Sequence, residues 1–510
     1  MRRLCRHNPG KLHAALLASL VLAGSVGPDH ARAGNAPAAA ADAALMSDGS
    51  TPLQWAVHGD GSAEVKRLLA AGANVAQANA YGVTAMQLAA ETANTAIIEL
   101  LLKAGADVES ANAEGQTALM SVARTGNVEA AKLLLKRGAK VNAREQFGGQ
   151  TALMWAAARR QPQMVELLLA KGADANARAI VRSFERHITV EQRYKNTHTG
   201  GLTPLLYAVR ENCKACVEVM IRRGADILLP DPDGIAPLTI AMMNGNWDIA
   251  KRLVEAGADV NQWDIYGQSP LHVAIENSYV NFGDIANLGS DRTPNTTDGR
   301  ELVKMLLERG ANPNQQMFFR SPREAGLVSS SARGTTPFHR AVASLDNDFI
   351  EYLMEWGADV TLTTAAGESP MMLAVASRGS EDQIIATLQL LRAAGADPNV
   401  VRRIQYITRN HGGTALHDAT RKGAKKVMAE LVRLGADPNL KDEDGLTALD
   451  YAQSRGWLTA LATRPAPRTD LVKVLRELGA TVEMSRVPDW PGEFPPIGPP
   501  RGHESEIWPL

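Results

Sequence analysis

Cys213 and Cys216 stand three residues apart in ENCKACVEVMIRRGAD (211–226), a spacing that suits a dithiol redox site, half of a metal site or a local disulfide. A thiol at a helix start has a lowered pKa, which gives the redox reading its physical basis. Against it, no βαβ pattern surrounds the pair and no second C-x-x-C completes a four-sulfur zinc site. Val217 stands where haem attachment requires His. Three further candidates are His272, His339 and His417, each fourth in a Thr- or Ser-led motif. The chain holds no H-E-x-x-H, G-x-S-x-G, Walker loop or dinucleotide fingerprint. Structural roles therefore outweigh catalytic ones for all five residues, and no cofactor and no metal are expected.

The elements that must position these residues repeat. A Gly-Ala pair recurs with its Gly at 72, 105, 138, 172, 224, 257, 310, 357, 395, 435 and 479, a base period of 33 with insertions. Ahead of each pair lies a start such as TPLQWA, TALMWA, TPLLYA, SPLHVA, TPFHRA or TALHDA. In eight of the eleven copies the leading residue stands 21 before the Gly; in the sixth it is Ala236. Thr or Ser caps the first helix, and Pro beside it suits the first helical position. In QMVELLLAKGADANA (163–177), Met164, Val165 and Leu168 share one face of a second helix. Gly172 then ends that helix in a left-handed conformation.

The T-P-L-H-x-A start, the 33-residue period and the LLLxxGADxN close resemble ankyrin repeats over residues 47–482. The resemblance implies an all-α solenoid of about eleven stacked helix pairs, with loops or β-hairpin fingers projecting at right angles. No repeat of this kind buries its apolar face alone, so stability comes from neighbours and the end copies act as caps. It also implies that His272, His339 and His417 hydrogen-bond between neighbouring repeats. Counting from Thr203, Cys216 falls at a core position shared by Ile97, Ala130, Met164, Ile249 and Phe349. Cys213 falls where Asn94, Asn127, Gln161, Asn246 and Asp346 stand, and is expected at the exposed start of its helix.

Outside the repeats, residues 1–33 carry Arg2, Arg3, Arg6 and Lys11, then the apolar run AALLASLVLAGSV and the small-residue site ARA. This is the pattern of a signal peptide cleaved near Ala33, so a periplasmic or secreted location is expected. Ser25 stands where a lipoprotein would carry its cysteine, and no membrane anchor is expected in the mature form. Residues 34–46 read as a linker, and 483–510 as a Pro-rich tail whose Trp490, Phe494 and Trp508 are candidates to cover the last repeat. Without 1–33 the chain has 49 basic and 54 acidic residues, a charge of −5.

Six insertions interrupt the period: 179–199, 279–298, 315–333, 376–380, 400–412 and 458–468. Those at 179–199, 315–333 and 400–412 fall in fingers and hold ten basic residues against three acids. Arginine beside aromatics is the composition of binding hot spots. The candidate contact residues are Arg182, Arg186, Arg193, Tyr194, Phe318, Phe319, Arg320, Arg323, Arg402, Arg403, Tyr406 and Arg409. The expected function is a monomeric, non-catalytic scaffold that binds a protein with an acidic patch through its concave face and these fingers, and no nucleic acid. Thiol redox work at Cys213 and Cys216, or binding of an anionic envelope polymer, are the alternatives.

Overall fold

The computed structural model describes residues 47–185, 196–278, 295–318, 333–402, 412–443, 445–453 and 467–482. The expected leader (1–33), linker (34–46) and tail (483–510) lie outside the described residues, as do 279–294 and 454–466, in and beside two of the insertions. The first four helix pairs are α1 (Pro52–His58) and α2 (Ser62–Ala70), α3 (Ala85–Thr92) and α4 (Thr95–Lys103), α5 (Ala118–Thr125) and α6 (Val128–Lys136), and α7 (Ala152–Ala158) and α8 (Pro162–Ala170). A hairpin of β1 (Val181–Glu185) and β2 (Asn196–Gly200) follows. Then come α9 (Pro204–Arg210) and α10 (Lys214–Arg222), α11 (Pro237–Met243) and α12 (Trp247–Glu255), and α13 (Pro270–Ser278) and α14 (Gly299–Glu308). The last four pairs are α15 (Pro337–Ser344) and α16 (Asn347–Glu355), α17 (Pro370–Ala376) and α18 (Glu381–Ala393), α19 (Ala415–Lys422) and α20 (Lys425–Arg433), and α21 (Ala448–Ala452) and α22 (Thr469–Glu477). These 22 described helices make eleven repeats, each packed only on its neighbours.

The leading residue of each repeat sets its first helix. Thr51 accepts from the Gln54 N–H at 3.2 Å while Gln54 Oε1 takes the Thr51 N–H at 2.8 Å, a reciprocal cap. Gln54 Nε2 also crosses to the next repeat, donating to the carbonyls of Gln77 and Val83 at 2.9 and 2.8 Å. Ala236, leading the sixth repeat, has the same extended backbone but no side-chain cap. Ala236→Ser should therefore stabilise the array by about 1 kcal/mol in urea unfolding, and a neutral result would mean that the α11 N-terminus needs no cap. The repeat glycines have φ between +82 (Gly224) and +104 (Gly435). At Gly172 an added Cβ meets nothing within 4 Å, so it is the left-handed backbone that demands glycine.

Leu53, Val57, Val65 and Leu68 of the first repeat are buried, and equivalent residues continue this apolar strip to Leu471 and Leu475 of the last. The first helices are rich in buried alanine (Ala89, Ala90, Ala123, Ala156, Ala157) and pack more closely on one another than the second helices do. The stack therefore curves with the first helices on the inner side. Three kinds of hydrogen bond tie one repeat to the next. Asn142, Asn314 and Asn399 donate to the carbonyls of Gly172, Gly357 and Gly435 at 3.0, 2.8 and 2.9 Å. At the starts of second helices, Asn127 and Asn246 each reach the preceding repeat, at Ala93 O and Val209 O, both at 2.8 Å. Finger backbones are laced together as well, as by Gln146 N to Glu114 O (2.8 Å) and Ile180 N to Gly148 O (2.7 Å).

The insertion at 279–298 returns to the array at Asp248. That carboxylate accepts from the N–H groups of Thr296 and Thr297 at 2.9 and 2.8 Å and pairs with Lys214. Burial alone would raise its pKa, but the bonds from Lys214, Thr297 and Thr296 hold it at about 2.

Candidate binding surface

The 179–199 insertion is a finger carrying an antiparallel hairpin, with Val181 opposite Gly200 and Glu185 opposite Asn196. Arg182 is exposed on β1. Its guanidinium lies 4.4 Å from the Phe147 ring centroid, and Nη2 donates to the Phe147 carbonyl at 2.6 Å. Phe318, in the seventh finger, is half-exposed and meets Trp263 edge-on at 5.2 Å. Arg186, Arg193, Tyr194, Phe319, Arg320, Arg323, Arg403, Tyr406 and Arg409 lie outside the described residues.

Arg402 corrects the expectation of an exposed contact residue. It is 6% exposed, and it occupies the finger-base position where Asn112, Asp231 and Asp442 stand in other repeats. Those acceptors hold their own finger's backbone: Asn112 takes the N–H groups of Glu114 and Gln116 at 3.0 and 2.9 Å. Arg402 instead pairs with Asp418 Oδ1 at 3.0 Å and Glu368 Oε1 at 3.5 Å. Asp418 also pairs with Arg421, which lies over the Tyr451 ring at 5.4 Å, and the Tyr451 hydroxyl donates to Asp442 at 2.7 Å. Burial lowers the pKa of both arginines, that of Arg421 to about 10, so Arg421 stays charged at neutral pH. The result is a mutually compensated charge cluster across three repeats, turned inward rather than toward a partner.

Cys213 is the second correction. It is 5% exposed and joined to Cys216 by a disulfide. Its sulfur fills the N-cap position of α10 and accepts the Cys216 N–H at 3.2 Å, as Asn94 accepts from Ile97 at 3.1 Å. At this position Asn94, Asn127 and Asp346 cap their helices through side-chain oxygens, and Asn246, which does not, is 1% exposed and bonded to Val209 O. Closing so short a loop is worth about 2 kcal/mol on the chain-entropy account. Reduction with dithiothreitol should lower the unfolding free energy in urea by that amount in the wild type and leave a Cys213→Ser/Cys216→Ser protein unchanged.

The three histidines are structural. His339 Nδ1 accepts from the Thr336 N–H at 3.0 Å, and Nε2 donates to Leu362 O of the next repeat at 3.0 Å. His272 and His417 make the same bridge, to Thr335 O and Leu446 O at 3.2 and 3.1 Å. Burial lowers all three pKa values, to about 3 for His272 and about 4 for His339 and His417. Among the described residues no group of His, Cys, Asp or Glu is placed to hold a metal ion, and no helix is long and apolar enough to cross a membrane.

A set of contacts that the sequence reasoning missed lies on the inner helices. Arg124 lies over Trp155 at 5.7 Å, and Arg210 over Tyr207 at 5.1 Å. Each arginine is eighth in its repeat and each aromatic fifth, as are Arg421 and Tyr451. Trp55, also fifth, is 40% exposed in the first of the described repeats. The W and Y of TPLQWA, TALMWA and TPLLYA were the available signal: they stand on the inner stripe, one residue past the buried fourth position.

Comparison with known proteins follows the same division into repeats. The model for ankyrin repeats in three copies matches residues 33–112, 108–179 and 205–288, and the single ankyrin repeat model matches 266–317 and 411–443. Among curated relatives, the B-cell lymphoma 3 protein of Homo sapiens is 30% identical over 273 residues, 48% of this chain and 54% of that protein. The putative ankyrin repeat protein FPV223 of Fowlpox virus (strain NVSL) is 31% identical over 129 residues, 25% of this chain and 82% of that protein. A probable E3 ubiquitin-protein ligase XBOS34 of Oryza sativa subsp. japonica is 33% identical over 114 residues, 22% of this chain and 20% of its own length. The chain thus spans about half or less of the first of its curated relatives. Among solved structures, the ankyrin repeat domain of Bcl-3 matches at 26% identity and a TM-score of 0.39, covering 51% of this chain and 99% of that one. With the two repeat models matching more than half of its residues, the chain belongs to the ankyrin repeat family.

Proposed function

We propose that this chain is a non-catalytic scaffold that holds another protein against its inner helices and fingers. The observation that carries the reading is Arg124 laid over Trp155 on the inner surface, with Trp55 exposed on the same stripe. Arginine and aromatic side chains supply large contact areas with directed polar ends, and an aromatic already fixed by its neighbour loses little entropy on binding. Family membership supports the same reading, since ankyrin repeats generally bind proteins rather than catalyse. The partner's contacting surface carries acidic groups, and the protein acts as a monomer outside the cytoplasm after cleavage near Ala33. Support for export comes from the basic, apolar and small-residue order of residues 1–33.

A photo-crosslinking amino acid in place of Trp155 should trap a partner in the native compartment, while the same group at the outer-helix residue Glu255 should not. Equal trapping at both positions, or none at either, would reject the inner-surface reading. N-terminal sequencing of the fractionated protein tests export: a start at Met1 excludes it, and a start near Gly34 supports it. Thiol exchange is a second reading, favoured by the pairing of Cys213 and Cys216 at the N-terminus of α10 and opposed by the burial of both sulfurs. Failure of Cys213 to form a mixed disulfide after partial reduction would remove it.

A further inference from the structure

The fingers of the third and fourth repeats build a patch that the composition of the insertions did not single out. Its apolar centre is Phe147, Ile180 and Val181, which are 69%, 44% and 45% exposed, three of the ten large hydrophobic side chains that the described residues leave in solvent. Backbone contact holds them together: Ile180 N–H donates to Gly148 O at 2.7 Å. Ile180 also lies against Gly149, where a Cβ would meet its Cγ1 at 2.7 Å and where φ is +63. Phe147 and the two β-branched residues come from successive fingers, so the patch exists only when the two repeats are stacked.

Three arginines rim this centre. Arg182 stacks on Phe147 and donates to its carbonyl. Arg144 Nη1 donates to Arg178 O at 2.6 Å and to Gly149 O at 3.4 Å, and Arg178 Nη1 donates to Gly201 O at 3.3 Å. Among the described residues none of the three pairs with a carboxylate, whereas outer-helix arginines such as Arg222 and Arg223 do, with Glu166. The acid nearest in sequence, Glu145, is buried and spends its oxygens on the N–H groups of Phe147, Gly148 and Gln150 at 2.6, 2.7 and 2.8 Å. Each guanidinium has five N–H donors, and backbone carbonyls take only one nitrogen of each. The carbonyls therefore aim the arginines without neutralising them. Charged groups left uncompensated beside exposed apolar surface suit a ligand that brings both carboxylates and hydrophobic side chains.

We infer that this patch is the docking point for an acidic peptide segment of the partner protein, with an apolar anchor on Phe147, Ile180 and Val181 and carboxylates paired to Arg144, Arg178 and Arg182. The inference rests on the scaffold reading above and gives it a ligand class. Its test uses the full chain and a fluorescein-labelled synthetic peptide that alternates Glu with Leu and Trp, read by anisotropy. Arg182→Glu, Arg144→Glu and Phe147→Ser should each weaken binding about tenfold, and Arg182→Gln by less than Arg182→Glu. Circular dichroism and urea unfolding check that each variant keeps its fold, and the three positions are exposed. A version of the peptide with Gln for every Glu should bind at least about tenfold more weakly, with less salt dependence. Four results would overturn the inference: wild type failing to bind the peptide below about 1 mM, unchanged affinity in the variants, equal affinity for the Gln peptide, or full affinity in Phe147→Ser. The last, with tripolyphosphate competing fully, would mark a general anion site rather than a peptide site. A partner still trapped at Trp155 alongside any of these results would leave the scaffold reading standing without this patch.

Discussion

Replacing Arg402 with Glu should destabilise the C-terminal repeats by about 3–5 kcal/mol, the usual cost of breaking a buried ion pair from one side. The variant sets a third carboxylate beside Glu368 and Asp418 and leaves Arg421 as the sole cation among the buried residues described there. Arg402→Met should cost less, because it removes a charge without reversing one. Pairing Arg402→Met with Glu368→Gln should recover part of the loss, since the carboxylate that Arg402 served is then neutral. Arg182→Glu, on an exposed side chain, should stay within about 0.5 kcal/mol of wild type. Urea unfolding followed by hydrogen exchange over residues 370–480 separates these cases. If Arg402→Glu unfolds at the wild-type midpoint, the cluster is not holding repeats nine to eleven together. The comparison also bears on function: partner binding lost in an Arg402 variant reports unfolding, whereas loss in an Arg182 variant reports contact.

Acidification from pH 7 to pH 5 should loosen the C-terminal half of the array while the N-terminal half holds. His272, His339 and His417 keep pKa values of about 3 to 4 when folded because burial disfavours their charged form. In the unfolded chain each titrates near 6.5. Between those values the unfolded state binds more protons, so the stabilisation is complete above about pH 6.5 and is lost as pH falls toward 4. Each histidine contributes a slope of about 1.4 kcal/mol per pH unit in that window, and the three together lose on the order of 6 kcal/mol by pH 5. Arg340 and His339 face His272, and Asp442, Arg421 and Arg402 face His417. The first four repeats place Gln54, Gln87, Met120 and Met154 at the same position, and none of these titrates. Hydrogen exchange at pH 5 should therefore show repeats seven to ten opening first. Uniform protection across both halves at that pH would refute the account, and His417→Gln should remove about a third of the slope.

The repeat architecture was legible because each requirement is local and recurs in register. Thr51 and Thr336 cap, Pro52 and Pro337 start, and Gly72 and Gly357 end, each through its own backbone chemistry. The role of Arg402 was hidden because its insertion obscured the register. Once VVRR is aligned on the finger-base acceptors, Arg402 falls at a buried position. Cys213 was misplaced for a different reason: Asn at an N-cap looks like a surface residue in composition but spends its side chain on two backbones. Arg210 and Tyr207 share α9, but the Arg124–Trp155 stack and the Phe147 patch depend on residues from successive repeats, Arg124 with Trp155 and Phe147 with Arg182. Such pairs stand 31 to 35 apart in sequence, and only the stacking reveals them.

The disulfide has a mechanical consequence. Where Asn127 and Asn246 rivet their repeats to the ones before, Cys213 offers a sulfur turned inward to Cys216 and no amide for the fourth repeat. The joint between the fourth and fifth repeats is held instead by its helix packing, by Asn176, whose Oδ1 accepts the Asp226 N–H at 2.9 Å, and by the outer ties from Arg222 and Arg223 to Glu166. Phe147 belongs to the finger on one side of the fourth repeat and Val181 to the finger on the other, so a ligand gripping both would brace the array beside that joint.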